Sequence, residues 1–263
     1  MELAALLPLL EPLAVIAMLA MARAGGLLLA LPSLAANTVP RTVRAVIVIA
    51  VSVSLVGIAA PPQLGALDVW SLAIAMFGEL VIGLALGFVV QIVLGGIRMA
   101  GEIIGVEIGL SFSAVADPAN PGSSTAPASL LGHLGVQLLF ALGIDRALVW
   151  GLARSLQRLP LGAGALTGDT VEVLSQQTGD AFAGSLHLAL PVMGAVLVVK
   201  LALAVLARFV PKLQIFSLAF AVVLAIGLNA LHQALPGLAH AVAGRLWAIV
   251  PAFERVLASF GAS

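Results

Sequence analysis

Long apolar stretches separated by short polar connections dominate this sequence, and they constrain its fold more than any other feature. Hydrophobic residues make up 62% of the 263 residues and charged residues only 9%, whereas soluble domains carry about 25% charged residues. One globule cannot bury so much apolar surface, so lipid is the solvent that the remaining surface requires. The sequence therefore predicts an all-α integral membrane protein.

The apolar stretches have the length of membrane-spanning helices, which need about 20 predominantly apolar residues. They predict a polytopic protein of about six long helices in one membrane-embedded domain, residues 1–263. The first stretch follows Glu2 rather than a basic segment, which favours a retained helix over a cleaved signal peptide. The predicted helices cover 8–31, 44–60, 69–97, 128–150, 181–207 and 212–235.

Two further segments differ from these stretches in pattern. Residues 151–180 form the most polar part of the chain and are predicted to be a solvated connection with one short helix. From Leu246 to Phe260, apolar residues recur at helical spacing, with Glu254 and Arg255 on the opposite side. This pattern predicts an amphipathic C-terminal helix that lies either on a membrane or against protein.

Signatures of catalysis are absent from the sequence. It has no phosphate-binding loop, no HExxH and no GxSxG, and it contains no Cys. Its four histidines are scattered, and twelve basic residues balance twelve acidic ones. We therefore predict that the chain is not an enzyme, holds no metal or cofactor and binds no nucleic acid.

Three charged residues, Arg23, Glu79 and Lys200, fall inside predicted membrane helices. An unpaired charge at the centre of a bilayer costs at least about 2.5 kcal/mol, so each of them needs a partner or water. Two interpretations stay open: a polar pathway for protons, or ion pairs between helices or subunits, for instance Glu79 with Arg23 or Lys200.

Glycines at intervals of four predict close helix packing. Gly83 and Gly87 form one such pair, and a second series follows before residue 110. Small residues on one face let two helix backbones approach closely, within one subunit or between subunits. The second series, Gly101, Gly105 and Gly109, is interleaved with Glu102 and Glu107, which gives this helix an acidic edge.

A proline-rich segment interrupts the helices at residues 110–127, which read LSFSAVADPANPGSSTAP. Its three prolines and one glycine are incompatible with a continuous helix. The segment is either a plain connector or a loop that folds into a pore, because non-helical backbone is tolerated at membrane depth only where protein covers it or it lines a cavity.

Several blocks of residues are spread over nearly the whole chain. They are Arg23 and Pro32 with Val39, Pro40 and Arg44; AGEIIG at 100–105, GLSF at 109–112 and Asp117-Pro118; LPLG at 159–162; LALP at 188–191; and RFVPKLQIF at 208–216. In type and order these blocks resemble the FliR family of the flagellar type III export apparatus, which is homologous to the SctT family of injectisomes.

The resemblance implies a non-catalytic subunit of an export gate in the inner membrane, within the flagellar basal body. It implies a spiral of helical hairpins that is partly lifted out of the bilayer plane. The implied partners are FliP- and FliQ-type gate subunits, an FlhB-type subunit and membrane lipid, and the implied cargo is unfolded flagellar protein. By family analogy the proline-rich segment is a plug of the closed pore. Its plug positions here are Leu110, Phe112, Val115, Asp117, Pro118, Asn120 and Pro121.

Two residues depart from the family pattern, since Glu107 and Lys200 stand where uncharged polar residues are more usual. They can pair with each other or with partner subunits. An injectisome export-gate subunit is one alternative function. A proton-coupled secondary transporter is another, although transporters of that type usually have two related halves, and residues 1–130 and 131–263 show no convincing repeat.

Overall fold

The structure is a computed structural model that describes residues 3–31, 39–59, 68–110, 124–162, 167–209 and 215–260. For residues 3–12 and 215–218 it describes the backbone alone. Helices make up nearly all of the described chain. They are α1 (Leu3–Ala30), α2 (Arg41–Val56), α3 (Val69–Ile108), α4 (Ala126–Ala141), α5 (Ile144–Arg158), α6 (Gly168–Phe209), α7 (Ile215–Trp247) and α8 (Ile249–Phe260).

The all-α fold class is confirmed, but the described residues hold fewer membrane helices than the six predicted. Within them, four helical segments are long and apolar enough to cross a membrane, or five if α4 and α5 count as one interrupted span. The prediction for 44–60 was displaced towards the C-terminus, because α2 begins at Arg41 and ends at Val56. The prediction of one helix over 128–150 was wrong at Gly143. Gly143 has a φ of +70° and separates α4 from α5.

Helix boundaries extend beyond the apolar stretches. Helix α3 continues to Ile108 rather than residue 97, and α6 begins at Gly168 rather than residue 181. The prediction of a solvated connection at 151–180 was therefore wrong for 168–180, which form the first turns of α6. Hydrophobicity marks where a helix suits lipid, whereas a helix itself continues through polar residues that have adequate helix propensity.

The chain divides into two compact units by its internal contacts. Unit 1 comprises Met1–Ile92, Gly143–Thr178 and Trp247–Ser263, and unit 2 comprises Val93–Leu142 and Gly179–Leu246.

In unit 1, α1 and α3 cross at glycines. A Cβ at Gly83 would overlap the backbone of Arg23, and one at Gly87 would overlap Ala30. A Cβ at Gly26, on α1, would meet the backbone at Leu80 and Gly83. The two backbones therefore touch, which is the close contact that small residues allow.

Helix α8, also in unit 1, packs on α5. The ring of Phe253 lies against Gly151, and Arg154 and Arg158 both form ion pairs with Glu254. The predicted amphipathic C-terminal helix is present, and its apolar face covers protein: Ile249, Phe253, Val256, Leu257 and Phe260 are all buried.

In unit 2, the C-terminal part of α3 packs against α4 and α7. Gly135 on α4 accommodates Leu94 and Ile97, and Gly227 on α7 lies close to Ile108. This packing fixes the position of the α3 end, where the proline-rich segment begins.

Candidate functional site

The C-terminus of α3 ends in a defined cap before the proline-rich segment. Gly109 has a φ of +93°, the Gly109 N–H donates to the Val106 carbonyl, and the Leu110 N–H donates to the Gly105 carbonyl at 2.8 Å. These two bonds form the Schellman motif, in which a glycine beyond the last helical residue takes the left-handed conformation. Gly109 therefore ends α3, whereas its sequence spacing predicted a packing role.

The segment returns at Thr125, the N-cap of α4. Its hydroxyl oxygen accepts the Ala128 N–H at 3.4 Å, the usual role of a threonine at this position. The same hydroxyl donates to the Gly101 carbonyl at 3.4 Å, and the Thr125 N–H lies 3.3 Å from both carboxylate oxygens of Glu102. Thr125 thus joins α4 to α3.

Gly101 and Gly105 make room for this contact. A Cβ at Gly105 would overlap the Thr125 side chain, and a Cβ at Gly101 would overlap Ala128. The chain therefore leaves α3 at Leu110, which bonds to Gly105, and returns on that same turn of α3. Both ends of the proline-rich segment are anchored at one place.

Most of the predicted plug positions lie outside the described residues. Among them, Leu110 is described, in the turn that follows α3. The others are Phe112, Val115, Asp117, Pro118, Asn120 and Pro121, and their assignment stays a prediction. Thr125 was not among the predicted site residues, although a threonine two residues before Pro127 at a helix start is a recognisable N-cap signal.

Glu107 and Lys200 form an ion pair in unit 2. Lys200 Nζ lies 2.8 Å from Glu107 Oε1, and the side chains are 42% and 24% exposed. They lie at the rim of a largely apolar cavity of about 560 Å³ whose walls include Ile108, Gly109 and Phe220.

We expect little loss of stability when this exposed pair is broken. Lys200→Gln in the isolated, detergent-solubilised chain should lower the free energy of unfolding by less than about 1 kcal/mol, because a pair that is not buried is worth little where water reaches it. Chemical denaturation of Lys200→Gln, Glu107→Gln and the double variant measures the coupling. A coupling well above that value would show that the pair is held in a much drier setting than its exposure indicates.

The buried charges of unit 1 form a separate cluster. Arg23 on α1 and Glu79 on α3 are 0% and 1% exposed, and Arg23 Nε donates to Glu79 Oε2 at 2.5 Å. The other carboxylate oxygen of Glu79 accepts the Gly162 N–H at 2.8 Å. Both oxygens of the carboxylate are therefore occupied.

Arg23 also caps the C-terminus of α5. Its Nη1 donates to the carbonyl of Ser155 at 2.8 Å, and its Nη2 donates to that of Leu159 at 3.2 Å. A cation is favourable at this end of a helix, where carbonyl groups lack intrahelical partners. This arrangement favours an ion pair that joins α1, α3 and the end of α5 over a proton pathway. Within the described ranges, no group of acidic and histidine side chains is arranged to hold a metal ion.

Comparison with known proteins gives one consistent family. The sequence profile described as "Bacterial export proteins, family 1" matches residues 14–248. The chain is 32% identical over 158 residues to the flagellar biosynthetic protein FliR of Escherichia coli (strain K12), and 28% identical over 230 residues to FliR of Caulobacter vibrioides. It is 26% identical over 182 residues to FliR of Aquifex aeolicus.

These alignments differ in how much of each protein they cover. The match to the Escherichia coli protein spans 60% of both chains, and the match to the Aquifex protein spans 69% of this chain and 70% of the relative. The match to the Caulobacter protein spans 85% of this chain and 90% of the relative. Similarity thus extends through both compact units.

Proposed function

This chain belongs to the bacterial export proteins of family 1, the family of its FliR relatives, and we propose that it is a non-catalytic core subunit of the flagellar type III protein-export gate. In this role it forms part of the secretion pore together with FliP- and FliQ-type subunits and contacts an FlhB-type subunit. Its cargo is unfolded flagellar protein, and its location is the inner membrane within the flagellar basal body.

The anchoring of the proline-rich segment carries this proposal. A plug must be held at its base, so that its reach into the pore is fixed. The Gly109 cap and the Thr125 contact hold Leu110 and Thr125, which flank this segment, at a single turn of α3. This support fits a plug better than a plain connector, which needs no second contact with the helix that it leaves.

The buried charges support a structural rather than a transporting role for the helices. Arg23 and Glu79 are paired, and both oxygens of Glu79 accept hydrogen bonds. A secondary transporter needs a substrate or ion site near the bilayer midplane, and a fully occupied carboxylate does not offer one.

We expect deletion of residues 114–123 to make the closed gate leak. The deletion keeps Gly109 and Thr125, so that both anchors stay intact while the intervening residues are removed. Membranes that carry the assembled complex should then conduct small ions, measured as fluorescence quenching of a potassium-sensitive dye in vesicles.

Two controls make this result specific. A Gly/Ser segment of equal length in place of 114–123 tests whether the apolar residues or the length of the segment closes the gate. Recovery of the complex by affinity purification shows whether the deletion variant still assembles. An assembled deletion variant whose ion conductance and flagellar secretion equal those of the wild type would refute the plug.

A further inference from the structure

Three arginines and a tryptophan follow one side of α5 in unit 1. Arg146, Trp150, Arg154 and Arg158 recur every four residues, a spacing that places side chains on neighbouring turns of one helix side. All four are exposed, and Trp150 is 70% exposed. We call these four residues the α5 basic face. The opposite side of the helix packs within the unit, since its apolar residues are buried: Ile144, Leu148, Leu152 and Leu156.

Ion pairs with α8 leave much of this face able to bind an anion. Arg154 and Arg158 each bond to Glu254 through one nitrogen, Nη1, and their side chains are 57% and 63% exposed. A guanidinium carries five N–H donors, so further donors stay available. Among the residues that the structure describes, Arg146 has no side-chain partner. The three arginines outnumber the two carboxylates beside them, Asp145 and Glu254, so the face is positively charged.

An apolar cavity lies beside the arginines, between α5 and α8. Its volume is about 260 Å³, and Arg154 and Glu254 border it. Pockets that enclose a whole small molecule measure about 300–1,000 Å³, so this cavity suits only part of a ligand. A length of hydrocarbon with a charged group at the arginines fits it. The apolar walls are formed by Leu148, Trp150, Val250 and Phe253.

The charge pattern around α5 indicates where a membrane boundary lies. Helices α4 and α5 are joined by a two-residue turn and qualify together as one interrupted span. Helix α4 contains no acidic or basic residue, whereas α5 contains Asp145 and three arginines. Basic segments directly beside an apolar helix attract anionic headgroups, and tryptophan is enriched at the same level of a membrane. The α5 basic face therefore fits the boundary between hydrocarbon and water.

We propose that the α5 basic face binds one anionic phospholipid. The phosphate group accepts N–H donors of Arg154, which borders the cavity, because a guanidinium presents parallel donors that match phosphate oxygens. Arg146 and Arg158 add positive charge along the same side, and one acyl chain enters the cavity beside Trp150. A zwitterionic headgroup binds less well, since its ammonium group would lie beside the arginines. This inference goes beyond the proposed export function and does not depend on it.

Quenching of Trp150 by brominated lipids tests this binding. The chain has three tryptophans, so Trp70→Phe combined with Trp247→Phe leaves Trp150 as the single fluorophore. This chain is reconstituted in phosphatidylcholine bilayers that contain a small fraction of lipid with bromine on its acyl chains. We expect brominated phosphatidylglycerol to associate with the site about fivefold more strongly than brominated phosphatidylcholine, the effect of about one arginine next to anionic lipid.

Removing arginines from the α5 basic face should remove the preference. Arg146→Gln combined with Arg154→Gln is expected to make the two brominated lipids equal, while Arg158 keeps its pair with Glu254. The matched control, Arg41→Gln combined with Arg208→Gln, removes the same charge from exposed positions outside α5 and should keep the preference. Circular dichroism shows that each variant is folded. Equal quenching by both lipids before the arginines are removed, or an equal loss of preference in the control, would overturn the inference.

Photocrosslinking in cells tests the same site in the assembled protein. The photoreactive residue p-benzoyl-phenylalanine replaces Trp150, and mass spectrometry identifies the molecules that it captures. A second chain carries this residue in place of Trp70, which is 76% exposed at the start of α3 and reports the general lipid composition around the protein. We expect anionic phospholipid to be enriched about fivefold at position 150 relative to position 70. Capture of protein instead of lipid at position 150, or equal lipid composition at both positions, would contradict the proposed site.

These tests are independent of the export-gate proposal, because neither measures secretion or ion conductance. A negative result at Trp150 removes the lipid site and leaves that proposal unchanged. A deletion of residues 114–123 without effect removes the plug and leaves the lipid site unchanged.

Discussion

Glu79→Gln is expected to lower the free energy of unfolding by about 3–5 kcal/mol, because removing one partner of a buried ion pair leaves the other charge uncompensated. Arg23 would then lie fully buried against a neutral amide, although its bonds to the Ser155 and Leu159 carbonyls remain. The Gly162 N–H keeps an acceptor if the amide oxygen occupies the position of Glu79 Oε1. Most of the loss therefore comes from the unpaired guanidinium.

Chemical denaturation of the detergent-solubilised chain measures this loss, and a double-mutant cycle assigns it to the pair. Arg23→Met combined with Glu79→Leu removes both charges, and replacing a buried pair with apolar residues is often close to neutral. We expect the double variant to be more stable than Arg23→Met alone, which leaves the carboxylate unpaired. A loss below about 1 kcal/mol for Glu79→Gln, the range of surface pairs, would contradict the buried network.

Gly83→Ala is expected to destabilise the chain by about 1–3 kcal/mol, the usual cost of overpacking. The added methyl group meets the backbone of Arg23 and the Leu27 nitrogen, and a backbone cannot rotate away as a flexible side chain can. Helix α1 must therefore shift, which also strains the bond between Arg23 and Glu79 one turn away.

Gly95→Ala is the matched control on the same helix. Gly95 is exposed, and nothing lies within 4 Å of its added Cβ, so alanine should be neutral or stabilise the isolated chain by up to about 1 kcal/mol through its better helix propensity. Unfolding of the two variants in detergent gives opposite signs if the α1–α3 crossing is as close as the structure shows. If Gly83→Ala and Gly95→Ala changed the free energy of unfolding equally, helix propensity alone would account for both effects.

Apolar patterning predicted where the helices lie better than where they end. The start of α3 at residue 69 follows directly from the apolar sequence, but its end depends on Gly109, which looks like the packing glycines Gly101 and Gly105 in sequence. Only the backbone shows that Gly109 has a positive φ while the other two meet Thr125 and Ala128. Spacing alone cannot separate these roles.

The charged residues illustrate the same limit at longer range. Burial in an apolar environment required a partner for Glu79, and Arg23 was one of two candidates. The Ser155, Leu159 and Gly162 backbone groups were not foreseen, because they carry no sequence signal and lie more than 80 residues away from their partners along the chain. Lys200 pairs with Glu107, one of the partners that the sequence had allowed, but on a part of α3 beyond residue 97, where hydrophobicity alone ended the helix.

Leu110 and Thr125 both bond to one turn of α3. The stretch between them can therefore change in length without altering the contacts of the two helices. Neither helix has to change register when residues 111–123 become longer or shorter, because both attachment points belong to α3 itself. The entropy of closing a loop grows slowly, by about 0.6 kcal/mol for each doubling of its length. The packing of α3 and α4 can therefore accommodate a change in the length of this stretch, and a fluorophore-binding peptide inserted there would report on its surroundings without disturbing the two helices.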